Sequence, residues 1–153
     1  MLTPVIRIEN PDQPEIRALL TASDAYHAAL YPAESNHLVD ISTLQGAETS
    51  FFVARVDGKA HGIGAILRQD GYAEVKRMFV DPKARGLKLG SRLLAALEAD
   101  ARAVGIRCLR LETGNRQPEA AALYRRAGFR EIGPFGSYRP DPNSLFMEKN
   151  LAG

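Results

Sequence analysis

The stretch from Glu74 to Gly105, EVKRMFVDPKARGLKLGSRLLAALEADARAVG, constrains the fold more than any other part of the chain. It opens as a strand, with Val75, Phe79 and Val80 among long side chains that suit a pleated surface. Asp81-Pro82 ends that strand, and a short basic loop with a glycine follows, Lys83 to Lys88. From Leu89 the spacing turns helical. Leu89, Leu93, Leu94, Leu97, Ala101 and Val104 form one apolar stripe, and Gly105 stands where a C-terminal cap is expected. This order of strand, glycine loop and helix sets backbone N–H groups at the positive end of a helix. The first N–H groups of a helix lack partners within it, and about half an elementary charge collects there. An anion, most simply a phosphate, is the expected occupant, with Arg85 and Lys88 adding side-chain charge.

Two common phosphate motifs do not fit. The chain has no G-x-x-x-x-G-K-S/T, and Gly62-Ile63-Gly64 lacks the third glycine of a dinucleotide fingerprint. Arg85-Gly86-Leu87-Lys88-Leu89-Gly90 instead resembles the pyrophosphate arm of the GNAT superfamily of N-acetyltransferases. That pattern runs Gln or Arg, two residues, Gly, one residue, then Gly or Ala. Arg85 and Gly90 match its ends, while Lys88 stands at the inner glycine.

The composition, 45% hydrophobic and 25% charged over 153 residues, is that of a globular protein, and one domain over 1–153 is expected. A net charge of +2 argues against a nucleic-acid or membrane-surface partner. The single cysteine excludes an internal disulfide framework and suits a reducing cytoplasm. The first residues carry no secretory pattern, and no apolar run approaches the ~20 residues of a membrane span.

Pro4 to Glu9 reads as a first strand. Asp12 is expected to cap a helix from about Gln13 to Ser23, and Tyr26 to Asp40 reads as a broken helical region with a second helix near Pro32. From Ser50 the period drops to two. Phe51 to Val56, Lys59 to Arg68 and Glu74 to Val80 form an antiparallel meander through the turns Asp57-Gly58 and Asp70-Gly71. After the organising helix come a strand from Ile106, a short helix opened by Pro118, a strand at Phe129 to Ile132 and a last strand at Ser144 to Lys149. Cys108 reads as core.

That order resembles GNAT throughout, and a second motif supports it. In LETGNRQPEAAALYRRAGF, Ala120, Leu123, Tyr124, Gly128 and Phe129 match the family's later segment, with Gln117 at its asparagine position. The resemblance implies an α+β, three-layered acyl-CoA N-acyltransferase fold. Its mixed, mostly antiparallel sheet would be splayed between the strands at 74–80 and 106–112 and flanked by about four helices. The segments YPAESNH, EVKRMFV, RLETG and PFGSYRPDP also resemble a subgroup of small bacterial members, some labelled indole-acetic-acid acetyltransferases.

Acetyl transfer from a thioester to an amine needs a proton acceptor, a donor for the developing oxyanion and help for the departing thiolate. The resemblance assigns acetyl-CoA to the backbone of Met78, Phe79 and Val80 and to the loop of Arg85, Gly86, Leu87, Lys88, Leu89, Gly90 and Ser91, with Gln117 beside them. Tyr124 would be the general acid at sulfur. Glu74 is the first candidate for the base and Glu112 the second, with His37 a third. No metal is implied. Acceptor selectivity is expected from Tyr31, Glu34, Ser35, Asn36 and His37 on one side and Phe135, Tyr138 and Arg139 on the other, with Arg77, Arg139 and His37 equally suited to a carboxylate on the acceptor. The expected acceptor is a small-molecule amine. A protein amine, a non-catalytic CoA-binding module and a homodimer stay open as alternatives.

Overall fold

The computed structural model describes residues 3–36, 38–84 and 86–151. Its strands are β1 (Val5–Ile8), β2 (Thr49–Val56), β3 (Lys59–Arg68), β4 (Ala73–Val80), β5 (Cys108–Gly114), β6 (Arg130–Ile132) and β7 (Ser144–Asn150). Among the described residues four α-helices accompany them: α1 (Pro14–Leu30), α2 (Ile41–Leu44), α3 (Leu89–Ala103) and α4 (Pro118–Arg126). The strands form one mixed seven-stranded sheet in the order β1-β2-β3-β4-β5-β7-β6. Only β4 and β5 pair in parallel, across the α3 crossover; every other neighbour is antiparallel.

Helices cover both faces, which explains why β2 reads as the unbroken apolar run Phe51-Phe52-Val53-Ala54. Phe52 and Ala54 join Leu93, Leu94 and Leu97 of α3, while Phe51 and Val53 join Ile16, Leu19 and Leu20 of α1. Leu93 and Leu97 are fully buried, each contributing about 1.5–3 kcal/mol on removal from water.

The early helices differ from the sequence reading. Tyr26 to Leu30 continue α1, because alanine and leucine hold the helix until Pro32 forces Tyr31 into an extended conformation (φ −133). Asp12 does not cap it: Gln13 holds that position, Pro14 starts the helix, and Asp12 pairs with Arg17 at 2.8 Å. Near Pro32 there is only a 3-10 turn, Ala33–Ser35, and α2 is a single turn whose first N–H groups meet Asp40, at 3.0 Å from the Thr43 N–H. Val104 falls off the apolar stripe and lies 58% exposed. Cys108 is half-buried, with Sγ 3.9 Å from Glu148 Oε2, rather than in the core. No helix among the described residues is long and apolar enough to cross a membrane.

Two features of β4 position the site. Its bridges to β5 stop after Ala73–Leu109 and Glu74–Arg110, so the strands part from Val75 onward and leave the β5-facing edge of β4 open. On the other edge β4 bulges: Arg77 and Met78 together oppose Gly64, with Arg77 in the left-handed region at φ 58. A Cβ at Gly64 would lie 2.5 Å from Met78 Sδ, so a side chain there would have to displace the flexible end of Met78.

Candidate active site

The loop after β4 turns through two left-handed residues, Gly86 (φ 90) and Lys88 (φ 55), before α3 begins. Lys88 is the N-cap of α3 and offers no side-chain capping bond. Glycine suits this position because only glycine enters the left-handed region without steric cost. Lys88→Gly is therefore expected to raise stability by about 0.5–1 kcal/mol, the left-handed cost for a side chain less glycine's entropic penalty. Chemical denaturation of both proteins measures this. Gly90 has a different reason to be small: a Cβ would sit 3.0 Å from Leu123 Cδ2, where the first turn of α3 meets α4. Arg85 lies outside the described residues.

On the α1 face of the sheet is a cavity of about 720 Å³. β3 and β4 supply Leu67, Glu74 and Lys76, the early segment supplies Glu34 and Val39, and the loop before β7 supplies Tyr138, Arg139 and Asp141. Glu74 is buried, and two groups meet its Oε2: the Tyr138 hydroxyl donates to it, and Lys76 Nζ lies 3.0 Å away. Lys76 also donates to Tyr138 Oη at 2.5 Å. Both contacts use Oε2, and no hydrogen bond is made to Oε1 among the described residues. Burial first, then the Glu74 carboxylate, hold the Tyr138 phenol well above its ordinary value, so it stays a neutral donor.

The two straps over the cavity are tied together. Ser35 Oγ donates to Asp141 Oδ2 at 2.7 Å, and Asn143 Nδ2 donates to Ser35 Oγ at 3.3 Å. Ser35, expected at the acceptor, thus fastens the roof of the cavity. Two other expected acceptor residues lie elsewhere. Tyr31 is buried on Gly114 and its Oη accepts the Arg116 N–H at 2.9 Å. Arg77 is buried under α1, donating to Asp24 Oδ1 at 2.7 Å and to the Leu20 carbonyl at 3.1 Å. Neither lines the cavity. His37 lies outside the described residues.

Glu112, the second carboxylate, is half-buried on β5 and accepts Ser144 Oγ at 2.8 Å. Tyr124 is buried on α4 against Phe129, with ring centroids 5.7 Å apart. Burial, and secondarily Glu112, raise its phenol above the ordinary value. Gln117 caps α4, and its Oε1 accepts from the Gly114 N–H and Thr113 Oγ1, each at 3.3 Å. Gln69, Tyr72 and Asp141 also line the cavity and were not singled out in the sequence; strand alternation alone does not reveal which face a ligand shares.

A seven-stranded mixed sheet opened between its fourth and fifth strands, with a helix N-terminus at the gap, defines an acyl-CoA N-acyltransferase fold. Residues 47–131 match the family model described as acetyltransferase (GNAT) domain. The chain is 52% identical over 145 residues to a protein named IAA acetyltransferase from Azospirillum brasilense, covering 94% of this chain and 95% of that one. A Klebsiella pneumoniae structure described as an acyl-CoA N-acyltransferase superposes with a TM-score of 0.82 at 40% identity, covering 97% and 98% of the two chains. A Thermoplasma acidophilum PaiA N-acetyltransferase in complex with coenzyme A shares the fold, with a TM-score of 0.77 at 20% identity over 97% and 99%. The chain belongs to the GNAT family of acetyltransferases and is an acyltransferase.

Proposed function

We propose that the protein transfers an acetyl group from acetyl-CoA to the primary amine of a small molecule by direct attack on the thioester. The observation that carries this reading is Glu74. Its buried carboxylate faces the cavity from β4, just before the point where β4 parts from β5. The parted strands and the Gly86–Lys88 turn fit a CoA. The open edge of Met78, Phe79 and Val80 would pair with the pantetheine amides, and the N–H groups from Gly86 to Ser91 would face the pyrophosphate. The complex of the Thermoplasma relative with coenzyme A supports this. When bound, acetyl-CoA supplies the electrophilic carbonyl carbon. The amine nitrogen forms the new C–N bond as the C–S bond breaks, the amine proton passes to Glu74 Oε1, and the sulfur leaves with the electron pair.

Tyr124 serves as a hydrogen-bond donor in this reading. An ordinary phenol near pKa 10 is already a weaker acid than a thiol near 8.5, by about 2 kcal/mol, and burial widens the gap. Net proton transfer to the thiolate is therefore uphill, and that proton comes from water. Tyr124→Phe is expected to lower kcat about 10- to 100-fold, the loss of one hydrogen bond to a charged group, with the CoA affinity unchanged. Steady-state kinetics with calorimetric CoA binding measures both.

The test of the function is thiol release from acetyl-CoA over a panel of small amines, with peptides as a separate arm, beside thermal shift with acetyl-CoA. Turnover on small amines is expected. Turnover on peptides alone would assign a protein amine instead. Thermal stabilisation by acetyl-CoA without turnover on any amine would make the protein a CoA-binding module.

A further inference from the structure

We propose that the acceptor carries a carboxylate as well as its amine, and that Arg139 holds that carboxylate; this rests on the acetyltransferase reading above. The charges around the cavity point to this acceptor. Glu74 and Lys76 form an ion pair at 3.0 Å. Asp141 is engaged by Ser35 Oγ at 2.7 Å and by the Asn143 N–H at 2.8 Å. Two lining charges, both exposed at the cavity's rim, have no hydrogen-bond or ion-pair partner among the described residues: Glu34 on the early strap and Arg139 on the late one. They have opposite signs and do not pair with each other. With its amine at Glu74, an acceptor that also bears a carboxylate complements Arg139, whereas a simple amine leaves that charge unmatched.

Arg139 is also well held for this task. Tyr138 before it is fixed to Glu74 and Lys76, Pro140 after it restricts its backbone to extended conformations, and Asp141 is anchored to Ser35. A guanidinium offers two parallel N–H donors that match a carboxylate's two oxygens, a geometry lysine lacks. Val39, Leu67 and Tyr72 give the same cavity an apolar wall. The acceptor class is thus an amino acid or amino-carboxylate with an apolar or aromatic body, its amine toward Glu74.

The experiment compares matched acceptors with and without the carboxylate: phenylalanine with phenethylamine, and 4-(aminomethyl)benzoate with benzylamine. The wild-type protein is expected to favour the carboxylate-bearing member in at least one pair by roughly 10- to 100-fold in kcat/KM. In Arg139→Gln that ratio should collapse to within about threefold, Arg139→Lys should keep part of it, and Arg139→Glu should turn the preference against the carboxylate. Equal use of both members by the wild type overturns the inference while leaving the acetyltransferase reading intact. A preference that survives Arg139→Gln overturns the assignment to Arg139. Failure to acetylate any member of either pair, with the broader panel also silent, removes both readings together. Turnover of other amines in that panel but of neither pair removes this inference alone.

Discussion

Glu74→Gln is expected to lower kcat by about 10²–10⁴-fold, the range of a lost general base, with CoA affinity unchanged. Glutamine keeps the shape and still accepts the Tyr138 hydroxyl, so the hydrogen bond seen at Oε2 survives in kind. What it loses is the ability to take a proton. The informative readout is kcat beside thermal stability. With a glutamate base, kcat falls while Tm stays near that of the wild type. A structural role for the Glu74–Lys76 pair would instead lower thermal stability. A kcat within about threefold of wild type would move the base to Glu112, which lies on the neighbouring strand with Ser144 Oγ at 2.8 Å.

Much of this architecture was legible because it rests on local rules. The period change at Leu89, the turn at Asp57-Gly58 and the proline at the start of α4 each act within a few residues, and all appear where expected. Even the departure at Lys88 has a local cause, a left-handed residue where a side chain is unfavoured. The long-range contacts around the site were not legible in the same way. Tyr31 sits in a polar, aromatic segment that suggested acceptor binding, yet its hydroxyl is taken by an N–H from residue 116. Ser35 is claimed by Asp141 in the same way. Arg77 lies under α1 for a subtler reason. The bulge inserts one residue into the alternation, so Lys76 and Arg77 reach the same face, and the second of them goes under α1 instead of into the cavity. A left-handed arginine in a strand leaves no signature in the sequence.

Gly114→Ala is expected to be the most damaging Gly→Ala change among the described glycines. A Cβ there would lie 1.9 Å from Tyr31 Cζ and Oη and 2.5 Å from Cε2, far inside van der Waals contact. The ring cannot easily move, being buried and held through its hydroxyl by the Arg116 N–H. The clash therefore either shifts the β5–α4 turn or expels Tyr31, which frees a backbone donor and opens the end of α1. Overpacking costs typically about 1–3 kcal/mol, and the lost hydrogen bond adds about 1 kcal/mol. At about 2–4 °C per kcal/mol for a chain of this size, Tm should fall by roughly 5–15 °C. A double-mutant cycle separates the two causes. Tyr31→Leu alone should destabilise, since it removes packed ring atoms and the acceptor of the Arg116 N–H. In that background, however, Gly114→Ala should cost less than about 1 kcal/mol, because the atoms it strikes are gone. Strict additivity in this cycle would place the glycine's importance in its backbone rather than in Tyr31. The same experiment reads on function, because Gln117, which braces the turn through the Gly114 N–H, moves with it. Loss of CoA affinity in Gly114→Ala, recovered in the double variant, would link this packing contact to the cofactor end of the slot.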